Sequence, residues 1–387
     1  MSVRIGCGLS TGPDPRLAAI EAGQQAHAAL GGPRADVVCV FASGSHLAAP
    51  EATLEGVHEA LAPPVLVGCG AGGVVGDGRE VERGTAVAVW AAALGEGRAE
   101  AFYLDVTQGP DAIAVGGMPE LDDATAIVLL PDPYSFPTDL VLGELSRRAP
   151  GVPVLGGIAS ARTLDGNAAL FLGDELRGDG AVGLAFAGVE VMPCVSQGAA
   201  PVGPELTVTA AEGHVIHELA GRPALDTLRE AIEGLGPHQQ ALVASGLLLG
   251  IVIGGGKPDY EQGDFLVRGV IGADPEAGTL TVGAPVRPGT VVRLHARDAV
   301  SADRDLRQAL TLRREALGGG MPAGALVFTC NGRGEAMFGT PDHDALTLEE
   351  ELAGAPAAGF FAAGEIGPVG GDPFLHGFTA TVAVFPP

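Results

Sequence analysis

Residues 65–78, VLVGCGAGGVVGDG, set Gly68, Gly70 and Gly73 at G-x-G-x-x-G spacing directly after an apolar, strand-like run. In a dinucleotide-binding unit this spacing leads into a helix, whose N-terminal amides hold the pyrophosphate. No helix pattern follows here. The next residues, REVERGTAVAVWAA, become alternating and β-branched from Thr85 to Val89, so the loop joins strand to strand. A phosphate cradle is thereby excluded where its fingerprint stands. The glycines must instead serve sharp turning, or close approach of a strand end to another segment or to a ligand.

The order of elements around this loop recurs. TGPDPRLAAIEAGQQAHAALGG reads as a helix capped by Asp14, with Pro15 in its first turn, Leu17, Ile20, His27 and Leu30 on one face, and Gly31 as the stop. ADVVCVFAS is a strand, PEATLEGVHEALAPP a helix closed by Pro63, and GTAVAVWAAAL the strand after the loop. Near the C-terminus the same order returns as SADRDLRQALTLRREALGGG, GALVFTCNGRG, LTLEEELAGA, AGFFAAGEIGPVGG and FLHGFTATVAVF. A partial third copy lies between them: AIVLLPDP, PTDLVLGELSRRA and VPVLGGIASA, then a hairpin at GDELRGDG into AVGLAFAG. Strands alternating with helices, with hairpins near 172–180 and 263–282, predict an α/β fold. Its layered mixed β-sheets are covered by helices and form two related halves with an internal pseudo-twofold repeat. In that arrangement the loops Gly68 to Gly73 and Gly364 to Gly371 face each other across a crevice, where a ligand pocket is expected.

A chain of 387 residues exceeds one ordinary core, so two domains are expected. Lys+Arg 22 against Asp+Glu 47 gives a net charge of -25, which repels phosphodiester backbones and anionic lipid surfaces. Neither nucleic acid nor a membrane is an expected partner. The cysteines, Cys7, Cys39, Cys69, Cys194 and Cys330, are odd in number and show no C-x-x-C pairing, which fits a reducing cytoplasm better than a disulfide framework or a zinc site. His214 and His217 have H-x-x-H spacing without the H-E-x-x-H order, so no metal is expected. The first residues show no charged segment leading into a long apolar one, and the most apolar run, GLLLGIVIGGG, is far below spanning length, so neither export nor a membrane span is expected.

The C-terminal copy carries CNGRG from Cys330, GEIGPVGG from Gly364 and LHGFTATVAVF from Leu375, and upstream stand VLGGIAS from Val154, GRPAL from Gly221 and FLVRGVIG from Phe265. In this order, over nearly the whole chain, these strings resemble the FIST family, the F-box and intracellular signal transduction proteins. The resemblance implies a FIST N-terminal domain, 1–212, and a FIST C-terminal domain, 213–387, acting as a sensory input module for a small ligand. Amino acids are proposed as ligands in the family, and haem is reported for some nitric-oxide-sensing relatives. Relatives often carry a signalling output on the same chain. Here no space is left for one, so a separate signalling protein is the expected partner.

Cys330, Asn331 and Arg333 follow an apolar strand, where a thiol, an amide and a guanidinium would project into the expected crevice. Arg333 suits a bidentate fork to a ligand carboxylate, with Arg268 of FLVRG second. Gly364 and Glu365 belong to the C-terminal glycine loop, and His376 to the strand behind it. Cys69 and Gly70 belong to the N-terminal loop, with Cys69 roughly where Gly364 stands in the other copy. These residues form the expected ligand-binding set. The bland alternative makes Asn331 and Gly332 a tight turn with Arg333 solvated, and Cys69 mere packing. Cys330 with Glu365 and His376 also has the composition of a nucleophile, base and orienting group. A cysteine-dependent enzyme and a ligand-free scaffold therefore stand beside the sensor as alternatives. Aromatic residues at 4% are few for lining a haem cavity, so no resident cofactor is expected, with haem the alternative.

Overall fold

The computed structural model describes residues 2–109, 113–254, 256–257, 259–260 and 263–387. The chain forms two compact units. The first comprises Met1–Val195, Leu306–Leu375 and Ala380–Pro387, and the second Ser196–Asp305 with His376–Thr379.

The elements run β1 (Arg4–Ser10), α1 (Pro15–Leu30), β2 (Val37–Ser43), α2 (Pro50–Leu61), β3 (Val65–Ala71), β4 (Val74–Gly76), β5 (Arg79–Val81), β6 (Ala86–Ala93), β7 (Arg98–Gln108) and β8 (Ile113–Gly116). Then come β9 (Ala124–Pro131), α3 (Thr138–Arg148), β10 (Val154–Gly157), β11 (Leu170–Leu172), β12 (Glu175–Arg177), β13 (Ala181–Ala187) and β14 (Met192–Gln197). The next stretch holds β15 (Ala199–Glu212), β16 (Val215–Leu219), β17 (Arg222–Pro223), α4 (Ala224–Glu233), α5 (Pro237–Ser245), β18 (Leu248–Val252), β19 (Phe265–Asp274), β20 (Thr279–Val282) and β21 (Val291–Arg297). The chain closes with α6 (Ala299–Ala316), β22 (Gly324–Cys330), α7 (Glu335–Phe338), α8 (His343–Glu351), β23 (Ala357–Ala362), β24 (Glu365–Val369), β25 (Asp372–His376) and β26 (Thr379–Phe385).

Three mixed sheets share one plan: β1-β6-β2-β3-β11-β12, β8-β7-β13-β9-β10-β24-β25 and β14-β26-β22-β23-β4-β5. In each, a parallel pair joined through a helix (β2/β3, β9/β10, β22/β23) is flanked by an antiparallel strand (β6, β13, β26). The hairpin after each parallel pair leaves its own sheet. β4–β5 joins β23, β11–β12 joins β3, and β24–β25 joins β10. The recurrence between residues 37–92 and 325–385 is thus present strand for strand, and the partial middle copy is a complete third member. One glycine per copy marks the common register. A Cβ on Gly68, Gly156 or Gly359 would lie 1.9, 2.0 or 1.7 Å from the carbonyl oxygen of Val40, Leu129 or Val327 on the parallel neighbour. By this register Ser43, Asp132 and Cys330 are equivalent, as are His46, Ser135 and Arg333.

The inner faces of all three sheets meet in one core, where Phe41 and Phe328 pack on Phe360 and Trp90 and Phe186 on Phe385. Helices cover the outer faces: α1 and α2 on the first sheet, α3 on the second, α6 and α8 on the third. Helix α1 forms as its sequence predicts, with Asp14 accepting from the Leu17 N–H and Gly31 at φ 70. Its buried face does not. Of that face only Leu30 is buried, Leu17 is 61% exposed, and the helix packs mainly through Ala18, Ala19, Ala22, Gly23 and Ala26. The reason is proximity: a Cβ on Gly6 or Gly8 of β1 would lie 2.1 Å from the carbonyls of Ala26 and Ala22, so only small residues fit between helix and strand.

The second unit holds the sheet β15-β21-β18-β19-β20-β16-β17, with α4 and α5 packed on its apolar core. Among the described residues, no helix is long and apolar enough to cross a membrane.

Candidate functional site

Within the first unit, the carboxyl ends of the three parallel pairs converge. Backbone bonds link them cyclically. Gly70 N–H donates to Ala169 (2.8 Å), Ile158 N–H to Gly364 (2.8 Å) and Phe361 N–H to Gly73 (3.0 Å). Just beyond, Ser160 Oγ accepts from Gly72 N–H (2.8 Å) and donates to the Phe361 carbonyl, tying the three turns together. A Cβ built on Gly72 would lie 3.6 Å from Asn331 Oδ1. The first glycine loop therefore meets Asn331 and Phe361 of the third copy and Ser160 of the middle copy, while Gly364 of the second glycine loop bonds to Ile158 of that middle copy. The opening loop's glycines are explained by this three-way approach. Gly72, Asn331 and Ala363 are exposed here and Ser160 is half-buried. Open α/β sheets bind ligands outside the carboxyl ends of their parallel strands, and three such ends meet at this junction.

Each copy closes its strand-end loop with a different polar set. In the first, buried His46 reaches the Gly12 carbonyl through Nε2 (2.9 Å). In the second, buried Asp132 accepts from Arg162 Nη2 (2.7 Å) and from Ser135 N–H and Oγ (2.9 and 2.7 Å). In the third, Arg333 is fully buried, and its Nε and Nη2 fork the equally buried Asp344 at 2.8 and 2.9 Å. Thr329 Oγ1 (2.7 Å) donates to the same carboxylate, and His343 Nδ1 lies 3.0 Å from it. Burial alone pushes the Asp344 carboxyl up, but the Arg333 charge and these hydrogen bonds outweigh it and hold the group well below the usual carboxylate range.

The sequence reading gave the Arg333 fork to a ligand carboxylate. The fork is filled by Asp344 of α8, and Arg333 is not a solvated turn residue either. Asn331 is exposed, with its N–H bonded to the Ala362 carbonyl (3.0 Å). Cys330 is 9% exposed, and its Sγ accepts from Gly332 N–H at 3.4 Å. Glu365 is fully buried on β24 opposite Gly157, within electrostatic reach of Arg333. Its equivalents in the other copies, Val74 and Leu170, are apolar, so the fold itself does not require a carboxylate there.

Gly364 lies at the junction and is equivalent to Gly73. Cys69 is equivalent to Phe360 instead, because it sits inside β3 and not in the loop; it is fully buried, which pushes its thiol up. Gly70 ends the same strand and donates into the junction. His376 and Arg268 belong to the second unit, where Arg268 Nη1 donates to the Val267 carbonyl (3.1 Å). Sequence reasoning missed Ser160, Asp344 and Glu80. Ser160 stands in VLGGIAS beside the glycines, and Asp344 at an acidic helix start, so both had a local signal. Glu80 of β5 had none. Its Oε1 accepts from the Ala345 N–H (3.0 Å) at the start of α8, while its own N–H donates to Asp342 Oδ1 (2.6 Å). Among the described residues, the lining of a cavity of about 600 Å3 beside Arg4, Arg34 and Asp36 includes no imidazole, thiol, thioether or phenol to ligate a haem iron.

Against known families, residues 36–222 match the FIST N domain and residues 224–368 the FIST C domain. The uncharacterized protein Rv0628c of Mycobacterium tuberculosis (strain H37Rv) is 44% identical over 384 residues, covering 99% of this chain and 100% of the relative. The uncharacterized protein Mb0898c of Mycobacterium bovis is 44% identical over 386 residues, covering 99% of each chain.

Proposed function

The chain belongs to the FIST family, whose domains are generally associated with sensory and signal-transduction proteins, and from that membership we propose that it senses a small ligand. The ligand is held at the junction of the three strand-end turns, between Gly72 and Ser160 of the FIST N region and Asn331 and Ala363 of the FIST C region. We take the division of these regions at 212/213. The observation that carries this reading is the convergence itself: three parallel pairs direct their carboxyl ends, with an exposed amide and a hydroxyl, at one point. Charge narrows the ligand class. At a net charge of -25 a dianion is repelled, and the Arg333 guanidinium is neutralised by Asp344, so a zwitterionic amino acid fits better than a phosphate or dicarboxylate. The protein acts in the cytoplasm and passes its signal to a separate protein.

A thermal-shift screen of free amino acids and small anions tests this. A true ligand at 100 times its Kd stabilises by about 2.7 kcal/mol, and Asn331→Ala should abolish the shift. If no compound shifts the wild-type chain, and mass spectrometry finds no small molecule released from it, the ligand reading is wrong.

A further inference from the structure

The hairpin that the first copy lends to the third sheet carries Arg79-Glu80-Val81-Glu82-Arg83, a stretch the junction does not use. β5 is an outer edge of that sheet, and strand alternation puts Arg79 and Val81 on one face and Glu80 on the other. Both glutamates are engaged by backbone donors: Glu80 Oε1 accepts from the Ala345 N–H (3.0 Å) and Glu82 Oε1 from the Glu335 N–H (2.6 Å). Gly334 makes room for the second bond, since a Cβ there would lie 2.1 Å from Glu82 Oε2. The guanidinium groups differ. Arg79 and Arg83 are exposed, and neither forms an ion pair with a described residue.

This stretch lines one side of a cavity of about 500 Å3, the size of a small-molecule pocket. Thr11 and, from the segment between β22 and α8, Glu335, Ala336 and Pro341 complete the lining, all within the first unit. Burial pushes the Glu80 carboxyl up to about 8, so it is uncharged at neutral pH. The lining then holds two positive and two negative charges, in a chain whose net charge is -25. Of the two carboxylates, Glu82 is turned onto a backbone N–H and Glu335 is exposed to solvent. Two guanidinium groups without an ion pair therefore stand beside an apolar patch of Val81, Ala336 and Pro341.

We propose that this cavity binds a small aliphatic monocarboxylate, its carboxylate held by Arg79 and Arg83 and its alkyl chain lying on Val81, Ala336 and Pro341. A guanidinium presents paired N–H donors that match the two oxygens of a carboxylate. A single negative charge also meets less long-range repulsion from this acidic chain than a dianion does. Among the described residues, none of Gly72, Ser160, Asn331 and Ala363 lines the cavity. The inference therefore goes beyond the junction reading and does not rest on it.

The test titrates the full chain with sodium hexanoate and follows binding by saturation-transfer NMR of the hexanoate protons. Hexanoate should bind saturably with a Kd on the order of 1 mM, and hexylamine, of equal chain length and opposite charge, should not bind. Arg79→Gln combined with Arg83→Gln should weaken hexanoate about tenfold. Arg34→Gln, the same charge change beside the other large cavity, should leave its Kd unchanged. No saturable binding to the wild-type chain overturns the proposal, as does equal binding of hexylamine or an undiminished affinity in the double variant. A loss as large in Arg34→Gln also overturns it, because the effect is then one of net charge. Should the double variant not fold, Arg83→Gln alone and the hexylamine comparison still decide.

Discussion

Replacing Glu80 by glutamine should stabilise the protein at neutral and alkaline pH and flatten its pH dependence. Glu80 lies on the hairpin that the first copy lends to the third sheet, and its carboxylate caps α8 through the Ala345 N–H. Burial first, then the Asp344 charge, raise its carboxyl from the ordinary 4.5 to about 8, opposed only in part by the Ala345 N–H. The folded state therefore holds a proton that the unfolded chain releases. That contribution is fully present below about 4.5 and is lost as pH rises through about 8. Inside this window the slope is about 1.4 kcal/mol per pH unit, so the upper bound is about 5 kcal/mol. Glu80 is only partly buried, and solvent relaxation should bring the loss nearer 2 kcal/mol. Glutamine keeps the Oε1 acceptor and the volume but carries no charge. Urea unfolding at about pH 5 and about pH 8.5 measures the difference. The wild-type chain should lose about 2 kcal/mol more than Glu80→Gln across that range, and equal pH slopes would refute the assigned environment.

Arg333→Ala should cost about 3–5 kcal/mol in urea unfolding, because it strands the buried Asp344 carboxylate, whereas Arg333→Met with Asp344→Leu should recover most of that loss; a neutral Arg333→Ala would show the pair to be solvated. Gly359→Ala should cost about 2 kcal/mol or more, since its Cβ meets the Val327 carbonyl at 1.7 Å. Gly143→Ala in α3, with open space around it, should instead gain about 0.5–1 kcal/mol. His295 is wedged against Gly250 and Phe265, and burial lowers its imidazole to about 4. Its folded pKa lies below the unfolded one, so stability should fall as pH drops from about 6.5 through about 4. An NMR titration of its ring protons with a midpoint near 6.5 would contradict this.

Much of the junction was legible. The glycine spacing without a following helix marked a strand end that meets something, and the recurring element order marked where its counterparts lie. Gly70 and Gly364 were named from these signals and Asn331 with the help of the family resemblance, and all three stand at the junction. The role of Arg333 was not legible, because its partner Asp344 is eleven residues on, in another element. Nor was the alanine face of α1, since helical periodicity finds large apolar residues, while here the glycines of β1 set the spacing.

The sequence by itself determined the elements, their recurrence and the family, because caps, glycine stops and apolar periodicity are local properties of the chain. Only the tertiary structure decided where each hairpin goes. A hairpin carries no local mark of the sheet whose edge it will pair with; that choice follows from which edges are open once three sheets share one core. It also decided the charge state of the site. Whether a guanidinium faces a ligand, solvent or a buried carboxylate depends on which side chains long-range packing brings within hydrogen-bonding distance, and this is what joins Arg333 to Asp344 and Glu80 to α8.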